Sequence, residues 1–462
     1  MTLIKSISGI RGTIGGEVGE NLTPIDAVKF ASAYGMWIKQ QRNKEHYRVV
    51  VGRDARISGE MIQNLVTNTL VGMGIHVIDV GLSTTPTVEV AVPMEHADGG
   101  IILTASHNPK QWNALKLLNY KGEFLNGADG EEILRFAESD DITFNDVDSL
   151  GKITINDAYI DMHIDEVLKL PLVNKKAIEK AKFKVVVDGV NSTGGIAIPL
   201  LLDRLGVHAV KLYCDPTGHF PHNPEPLKEH LTDLSEMVVK EHADFGIVVD
   251  PDVDRLAFVS EDGEMFGEEY TLVACADYVL SNTSGNTISN MSSTRALRDV
   301  TEKHGGTYEA SAVGEVNVVE LMKKNNAIIG GEGNGGIIYP ELHYGRDALV
   351  GVALFLSLLA EKKMRVSELR KTYPSYFMSK NKIQLTPGLD VDGILKEMEA
   401  RYSHENITTI DGVKIDFPEN WVHLRKSNTE PIIRIYTEAK TQQEADDLAS
   451  KIMSEIKEIA NI

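Results

Sequence analysis

Cysteine is almost missing from this chain: there are two, Cys214 and Cys275, in 462 residues. Two thiols can form one bridge at most, and neither has a metal-ligating neighbour at close spacing. A disulfide framework and a cysteine metal site are therefore excluded, and both are expected to be buried free thiols. Long apolar runs are missing too. The longest nearly apolar stretch, Ala348 to Ala360, falls well short of the roughly 20 residues that cross a bilayer, so it reads as a buried helix and no membrane partner is expected. The opening MTLIKSISGIRG has no apolar core long enough for a secretory signal, which predicts a cytoplasmic protein. Positive charge is in deficit, 47 Lys and Arg against 67 Asp and Glu, for a net charge of −20. That balance argues against nucleic acid as a partner. An anionic ligand has to be drawn in by a local basic pocket.

What is present is the composition of a globular protein, 42% hydrophobic and 25% charged, in a chain too long for one core. RVVVG from Arg48 is strand-like, and SGEMIQNLVTNTLVGMG from Ser58 has the cap and apolar spacing of a helix. HVIDVG, a helix-compatible stretch from Pro86 to Ala97, the strand GGIILTAS ending at Ser106, and ALKLLN complete an α/β unit. After a polar, acidic stretch around residues 137–157 the plan repeats, with KVVVDGVNSTGG and FGIVVDPDVDR. It repeats again from about Ser260, with TISNMSSTRALRDV and AIIGGEGNGGIIYP. Three times an apolar strand meets a small polar turn and enters a helix, a weak internal repeat. From around Arg370 the pattern changes to KIQL, a helix from Val391, GVKIDF, WVHLR, IIRIYTEA and a helix from Gln442, an antiparallel sheet with helices on one face. The expectation is four domains, 1–150, 151–259, 260–372 and 373–462: three consecutive α/β domains and a smaller C-terminal α+β domain.

Four segments carry chemistry. In TASHNPKQWNALK, residues 104–116, Ser106 stands just past the end of an apolar strand, where open α/β sheets place their ligands. His107 helps form a tight polar turn and Lys116 can reach back with its charge. A serine hydrolase is a poor fit, because there is no GxSxG elbow, and an ordinary strand-end turn is the plain alternative. In DPDVDR, Asp250, Asp252 and Asp254 alternate beyond a strand and can converge on one hard cation such as Mg²⁺. A calcium loop fails, since Arg255 stands where that loop needs glycine, which leaves a solvated acidic turn as the alternative. GGEGNGG, residues 330–336, has a formal dinucleotide spacing, but IIYP follows instead of a helix. It offers Glu332 and Asn334 to sugar hydroxyls, or is a plain glycine turn. RKSNTEPIIR, from Arg425 to Arg434, presents Ser427, Asn428, Thr429 and two guanidiniums, an anion-binding composition, or a polar hairpin turn.

Taken in order, these segments resemble the alpha-D-phosphohexomutase family over nearly the whole chain. The resemblance implies three α/β domains with mixed sheets and a mobile fourth domain enclosing one central cleft. It implies that Ser106 carries a phosphate and that Asp250, Asp252 and Asp254 hold Mg²⁺ with a phosphoserine oxygen. It further implies that Glu332 and Asn334 bind sugar hydroxyls, and that Arg425, Ser427, Asn428, Thr429 and Arg434 hold the non-reacting phosphate. Arg11 in SGIRG matches a phosphate-contacting arginine, and Arg255 matches the basic residue after the metal loop. The partner implied is a small sugar phosphate, interconverted between its 1- and 6-phosphate through a hexose 1,6-bisphosphate, with Lys116 and His107 as candidates for handling the proton. Several members place a histidine where this chain has Gly336, so no acid–base role is carried to that position. The GEGNGG form resembles the archaeal-type glucosamine-phosphate branch, with glucose and mannose phosphates as alternative substrates. A metal-dependent sugar phosphatase and a non-catalytic sugar-phosphate-binding protein are the rival readings.

Overall fold

A computed structural model describes residues 2–6, 9–139, 141–384, 389–426 and 432–460. The first sheet contains β1 (Ile4–Ser6), β2 (Gly9–Thr13), β3 (Tyr47–Arg53), β4 (Ile75–Leu82), β5 (Gly99–Leu103), β6 (Trp112–Leu118) and β7 (Ile153–Ile155). Its order is β1-β2-β6-β5-β3-β4-β7. β3 runs parallel to β4 and β5, while β5 and β6 form an antiparallel pair. The pairing of β7 with β4 carries this sheet past residue 150.

The second sheet, β8 (Lys184–Asp188), β9 (His208–Leu212), β10 (Phe245–Val249) and β11 (Leu256–Ser260), has the order β11-β10-β8-β9. The third, β12 (Asn286–Asn290), β13 (Tyr308–Ser311), β14 (Ala327–Glu332) and β15 (Gly336–Ile338), has the order β15-β14-β12-β13. These match β6-β5-β3-β4 strand for strand. Each unit is a parallel core closed by one antiparallel hairpin, β5–β6, β10–β11 and β14–β15. Three of the four chemical segments are the turns of those hairpins, so the repeat seen in sequence is a repeat of topology.

The fourth sheet, β16 (Phe377–Gln384), β17 (Asn406–Thr408), β18 (Val413–Asp416), β19 (Trp421–Lys426) and β20 (Ile432–Ala439), is wholly antiparallel in the order β16-β20-β19-β18-β17. The helices Val391–Arg401 and Gln442–Ala460 contribute Met398, Ile452 and Ile456 to its core.

The second and third units share one core, to which the apolar run Ala348–Ala360 contributes as part of the helix Ala348–Lys362. Every residue of that run is buried, and Phe355 stacks on Phe258 with ring centroids 3.8 Å apart. Full burial of such a side chain is worth about 1.5–3 kcal/mol, which is why a run too short to span a bilayer holds two domains together. No helix among the described residues is long and apolar enough to cross a membrane. Cys275 is buried and Cys214 only partly so; both are free, which corrects the expectation of two buried thiols. Ser58 precedes the helix Gly59–Gly72 but gives it no side-chain cap; its hydroxyl instead accepts from Asn113 Nδ2 at 2.9 Å.

Candidate active site

Strand β5 is buried along its whole length, and the chain leaving it turns sharply at Ser106, whose φ is 49°. A left-handed conformation is costly for a residue with a Cβ and persists only where the surroundings impose it. Here Thr104 Oγ1 accepts the Ser106 N–H at 2.9 Å. Arg56 grips the turn from below. Its guanidinium donates to the carbonyls of Ser106, Asn108 (2.7 Å), Pro109 (2.8 Å) and Trp112 (3.0 Å), while Nε is paired with Asp54 at 3.0 Å. Ser106 Oγ is thereby aimed at the second unit, where it donates to Asp250 Oδ2 at 2.7 Å, with His107 Nδ1 3.3 Å away.

The turn between β10 and β11 brings Asp250, Asp252 and Asp254 together, all fully buried, with one oxygen of each within 4.8 Å of the others. Val253, at φ 64°, makes the bend. Asp250 Oδ1 accepts the N–H groups of Asp254 (3.2 Å) and Arg255 (3.1 Å). Asp252 Oδ2 accepts from Thr85 Oγ1 at 2.6 Å and from Lys116 Nζ at 2.7 Å. Asp254 Oδ2 accepts from Lys116 at 3.3 Å and from Arg346 Nη2 at 2.8 Å.

Burial, reinforced by the charges of Asp252 and Asp254, pushes the Asp250 carboxyl well above its ordinary range. Burial works the same way on Asp254, but Arg346, Lys116 and Arg255 overcome it and hold that carboxyl below the usual range. For Lys116, burial alone would lower the ammonium; Asp252 and Asp254 outweigh it and raise it. Asp252 Oδ1 and Asp254 Oδ1 are buried with no hydrogen-bond partner among the described residues. Three dry carboxylates with two unpartnered oxygens fit a hard divalent cation, which takes oxygen ligands and relieves the charge.

The turn between β14 and β15 adds Glu332, which accepts from Asn290 Nδ2 at 2.8 Å and from Arg346 Nη1 at 3.0 Å. Asn334 Oδ1 folds back onto the Gly336 N–H at 3.2 Å. A Cβ on Gly336 would lie 2.3 Å from Arg346 Cδ, so the space beside this glycine is filled from another segment. Arg346 also pairs through Nε with Glu315 at 3.0 Å, and its buried guanidinium ties the acidic loop to the glycine loop.

The fourth contribution comes from β19 and β20. Arg425 is held by Asp411 at 2.9 Å and stands directly across from Arg434. Like charges opposite one another on a sheet repel. Arg11, its Nε buried and without a partner among the described residues, has its guanidinium pKa lowered by burial and then by Arg434. Three cations lining one end of the cleft, with Asp411 balancing only Arg425 among the ion pairs of the described residues, make an anion site. Ser427, Asn428 and Thr429 lie outside the described residues.

One cleft of about 1020 Å³ is lined by Arg11, Ser106, His107, Lys116, Arg255, Glu332, Asn334, Arg346, Arg425 and Arg434, with the three aspartates buried beneath Ser106. Arg255 is further anchored by Glu225 at 3.1 Å. Sequence reasoning missed Arg56, Thr85, Glu315 and Arg346. Arg56 had one usable signal, its place just past the end of β3.

The architecture and the cleft define a class, the phosphohexomutases, which are isomerases. Family models of phosphoglucomutase/phosphomannomutase match in four consecutive pieces: alpha/beta/alpha domain I over residues 3–143, domain II over 159–263, domain III over 267–376 and the C-terminal domain over 377–455. A phosphoglucomutase/phosphomannomutase of Thermococcus kodakarensis is 36% identical over 460 residues, covering 96% of this chain and 98% of that protein. A phosphoglucosamine/phosphogalactosamine mutase of Sulfurisphaera tokodaii is 32% identical over 456 residues, covering 96% and 97%. The crystal structure of a phosphoglucomutase/phosphomannomutase family protein from Burkholderia thailandensis superimposes with a TM-score of 0.83 at 25% identity, over 99% of this chain and 98% of that one. The chain belongs to the phosphoglucomutase/phosphomannomutase family, and is an enzyme.

Proposed function

We propose that this enzyme interconverts hexose 6- and 1-phosphates with Ser106 as the phosphoryl carrier, and that glucosamine phosphate is its preferred substrate. The observation that carries the reading is the place of Ser106 Oγ, 2.7 Å from Asp250 in the cleft that Arg11, Arg425 and Arg434 also line. A hexose phosphate gripped by the arginines presents its far hydroxyl to the serine.

Asp250, Asp252 and Asp254, with an oxygen of the phosphoryl group on Ser106, would hold Mg²⁺, which when bound supplies neutralisation of charge on the transferring group. The rest falls to the side chains, because phosphoryl transfer asks chiefly for alignment and charge. The sugar hydroxyl oxygen bonds to phosphorus as the bond from phosphorus to Ser106 Oγ breaks. Lys116, kept protonated by its two aspartates, steadies the negative charge. The hydroxyl proton goes to His107, whose Nδ1 lies 3.3 Å from Ser106 Oγ; burial, then Arg255, lowers the ring's basicity, and the negative phosphoryl group beside it raises it again. Arg255 lends further positive charge at the cleft wall. Glu332 and Asn334 take sugar hydroxyls. The hexose 1,6-bisphosphate then turns over in the cleft and returns its other phosphate to Ser106, and net hydrolysis is avoided.

The amino-sugar preference rests on charge. Glu332, shared with Arg346 at 3.0 Å, lines the cleft, and a protonated 2-amino group is attracted by such a carboxylate where a hydroxyl is not; Glu269, pushed up to about 8 by burial, contributes as it ionises. Two measurements test the reading. Mass analysis of the Ser106 peptide is expected to show about 80 Da of added phosphate; a permanently unmodified, fully active enzyme ends the phosphoserine mechanism. The kcat/KM for glucosamine 1-phosphate is expected to exceed those for glucose and mannose 1-phosphate by about tenfold, about 1.4 kcal/mol. An advantage of that size for glucose or mannose removes the amino-sugar assignment and leaves the mutase.

A further inference from the structure

Behind the catalytic loops lies a second buried group of ligating side chains that the proposed chemistry does not use. His163, on the helix Tyr159–Lys169, and His343 and Asp347, in the segment after β15, offer ligand atoms within 4.8 Å of one another. His163 Nε2 is 2.9 Å from Asp347 Oδ2, and His343 Nε2 is 3.1 Å from the same oxygen. The other oxygen, Oδ1, is already committed: it caps the helix Ala348–Lys362 by accepting from Leu349 N (2.8 Å) and Val350 N (3.3 Å). Oδ2 is thus left to the two rings alone.

The outer nitrogens also have neighbours. His163 Nδ1 lies 3.0 Å from Thr87 Oγ1. His343 Nδ1 lies 3.4 Å from Glu89 Oε2, though neither that nitrogen nor either Glu89 oxygen makes a hydrogen bond among the described residues. Glu89 is 1% exposed, and so is Asp347. Among the described residues no lysine or arginine forms an ion pair with either carboxylate, and the histidines are their ion-pair partners; burial, then the charge of Glu315, pushes the Glu89 carboxyl well above its ordinary range, with Lys116 opposing. Rings that carry their proton on Nδ1, toward Thr87 and Glu89, turn a lone pair on Nε2 toward Asp347 Oδ2. With their protons on Nε2 instead, both rings donate to Asp347 Oδ2 and hold that carboxyl below its ordinary range; a metal ion that displaces those two protons meets two ring lone pairs and one carboxylate oxygen facing one point.

We propose that His163, His343 and Asp347 form a structural site for a transition-metal dication of the zinc type, separate from the acidic triad under Ser106. Two imidazole nitrogens and one carboxylate oxygen are a donor set for zinc and not for Mg²⁺, which takes oxygen. Glu89 and Thr87 supply the outer acceptors that fix the tautomer of metal-bound histidines. Tetrahedral zinc at about 2.0–2.1 Å from its ligands keeps them about 3.3 Å apart, so the rings need retreat from Asp347 by only a few tenths of an ångström. The ion would join the helix Thr85–Met94 of the first unit, which carries Thr87 and Glu89, to the second and third. Thr85, at the start of that helix, donates to Asp252, so the staple also steadies the wall against which the acidic loop rests.

The test uses the full chain purified without a histidine tag, loaded with Zn²⁺ and dialysed against Mg²⁺ buffer. About one zinc per chain is expected to remain, and its presence is expected to raise the melting temperature by several degrees. His163→Gln and His343→Gln are expected to lose both the retained zinc and the zinc-dependent shift. Complete loss of zinc from the wild type on dialysis overturns the proposal. So does zinc that stays in both histidine variants but leaves in Asp252→Asn, which places the ion in the catalytic triad. Should the histidine variants fail to fold, Co²⁺ loaded into the wild type still decides. The intense visible absorption of a four-coordinate site with imidazole ligands supports the assignment, and the faint absorption of a six-coordinate oxygen site rejects it.

Discussion

Ser106 stands in a backbone conformation that costs on the order of 1–3 kcal/mol, held there by a side chain fifty positions earlier in the chain. The strain belongs to the turn, while the proposed chemistry belongs to the hydroxyl, so the two separate cleanly. Ser106→Ala keeps the turn and is expected to reduce mutase turnover to background while shifting stability by no more than about 0.5–1 kcal/mol. A tenth of the wild-type rate surviving in that variant ends the phosphoserine mechanism. Arg56 gives the opposite result. Methionine there leaves Asp54 as a lone buried charge and frees the carbonyls of the turn, a loss of about 3–5 kcal/mol, read as a lower denaturant midpoint with an unchanged slope. A midpoint within error of wild type would mean that the turn holds itself. At this scale the sequence was half legible. Ser106 and the three aspartates announce themselves because alternating acids and a strand-end serine are rare local patterns. Arg56, Arg346 and Glu315 do not, because an isolated Arg or Glu reads as surface charge until tertiary contacts bury it.

At the scale of elements, three of the four chemical segments occupy one kind of place, the turn of an antiparallel hairpin, β5–β6, β10–β11 and β14–β15, and the fourth places Arg425 and Arg434 on the antiparallel strands β19 and β20. The strand–turn–helix rhythm readable in the sequence is a neighbouring recurrence, β3, β8 and β12 each leading into a helix; the hairpins themselves are not legible in it. Nor is the strand order, because short apolar strands carry no record of their neighbours. The fourth pair of strands sets Arg425 opposite Arg434, a repulsion that Asp411 relieves on the Arg425 side and that a bound anion would relieve further. One such site must hold the sugar phosphate in both orientations of the bisphosphate. Arg425→Ala is therefore expected to raise KM for the 1-phosphate and the 6-phosphate by similar factors, about tenfold each, the worth of roughly 1.4 kcal/mol of charged hydrogen bonding. Steady-state kinetics in both directions check it. A rise confined to one isomer, beyond what the overall equilibrium constant demands, contradicts a shared site.

For the whole molecule, the distribution of cores decides what can move. The second and third units share one apolar core running from Ile160 to Tyr373, so they behave as a single body. The fourth has its own core and meets the third through polar contacts. Lys414 Nζ donates to Met291 O at 2.9 Å, Arg295 Nη2 to Asn420 O at 3.0 Å, and Ser292 Oγ lies 2.9 Å from His423 Nδ1. Water can replace each of these when the surfaces part, at small net cost, whereas parting an apolar core exposes it; domain motion is therefore expected at the polar interface. Arg295, whose Nε also lies 3.6 Å from Glu438 Oε1, is the latch; its backbone N–H on the same oxygen at 3.1 Å stays when the side chain is removed. Arg295→Ala leaves the buried Glu438 without its guanidinium, and is expected to cost about 3–5 kcal/mol of the fourth domain's docking while the apolar core of the second and third units keeps the main thermal transition. It is expected to lower kcat and kcat/KM together by about tenfold, because a fourth domain that closes less often completes the phosphate site less often. It should also speed proteolysis near residue 376, where the chain crosses between the two bodies. Unchanged kinetics with faster cleavage would show that the latch holds the resting molecule and takes no part in turnover. Unchanged cleavage with a lower melting temperature would place Arg295 in the rigid body and leave domain closure to another contact.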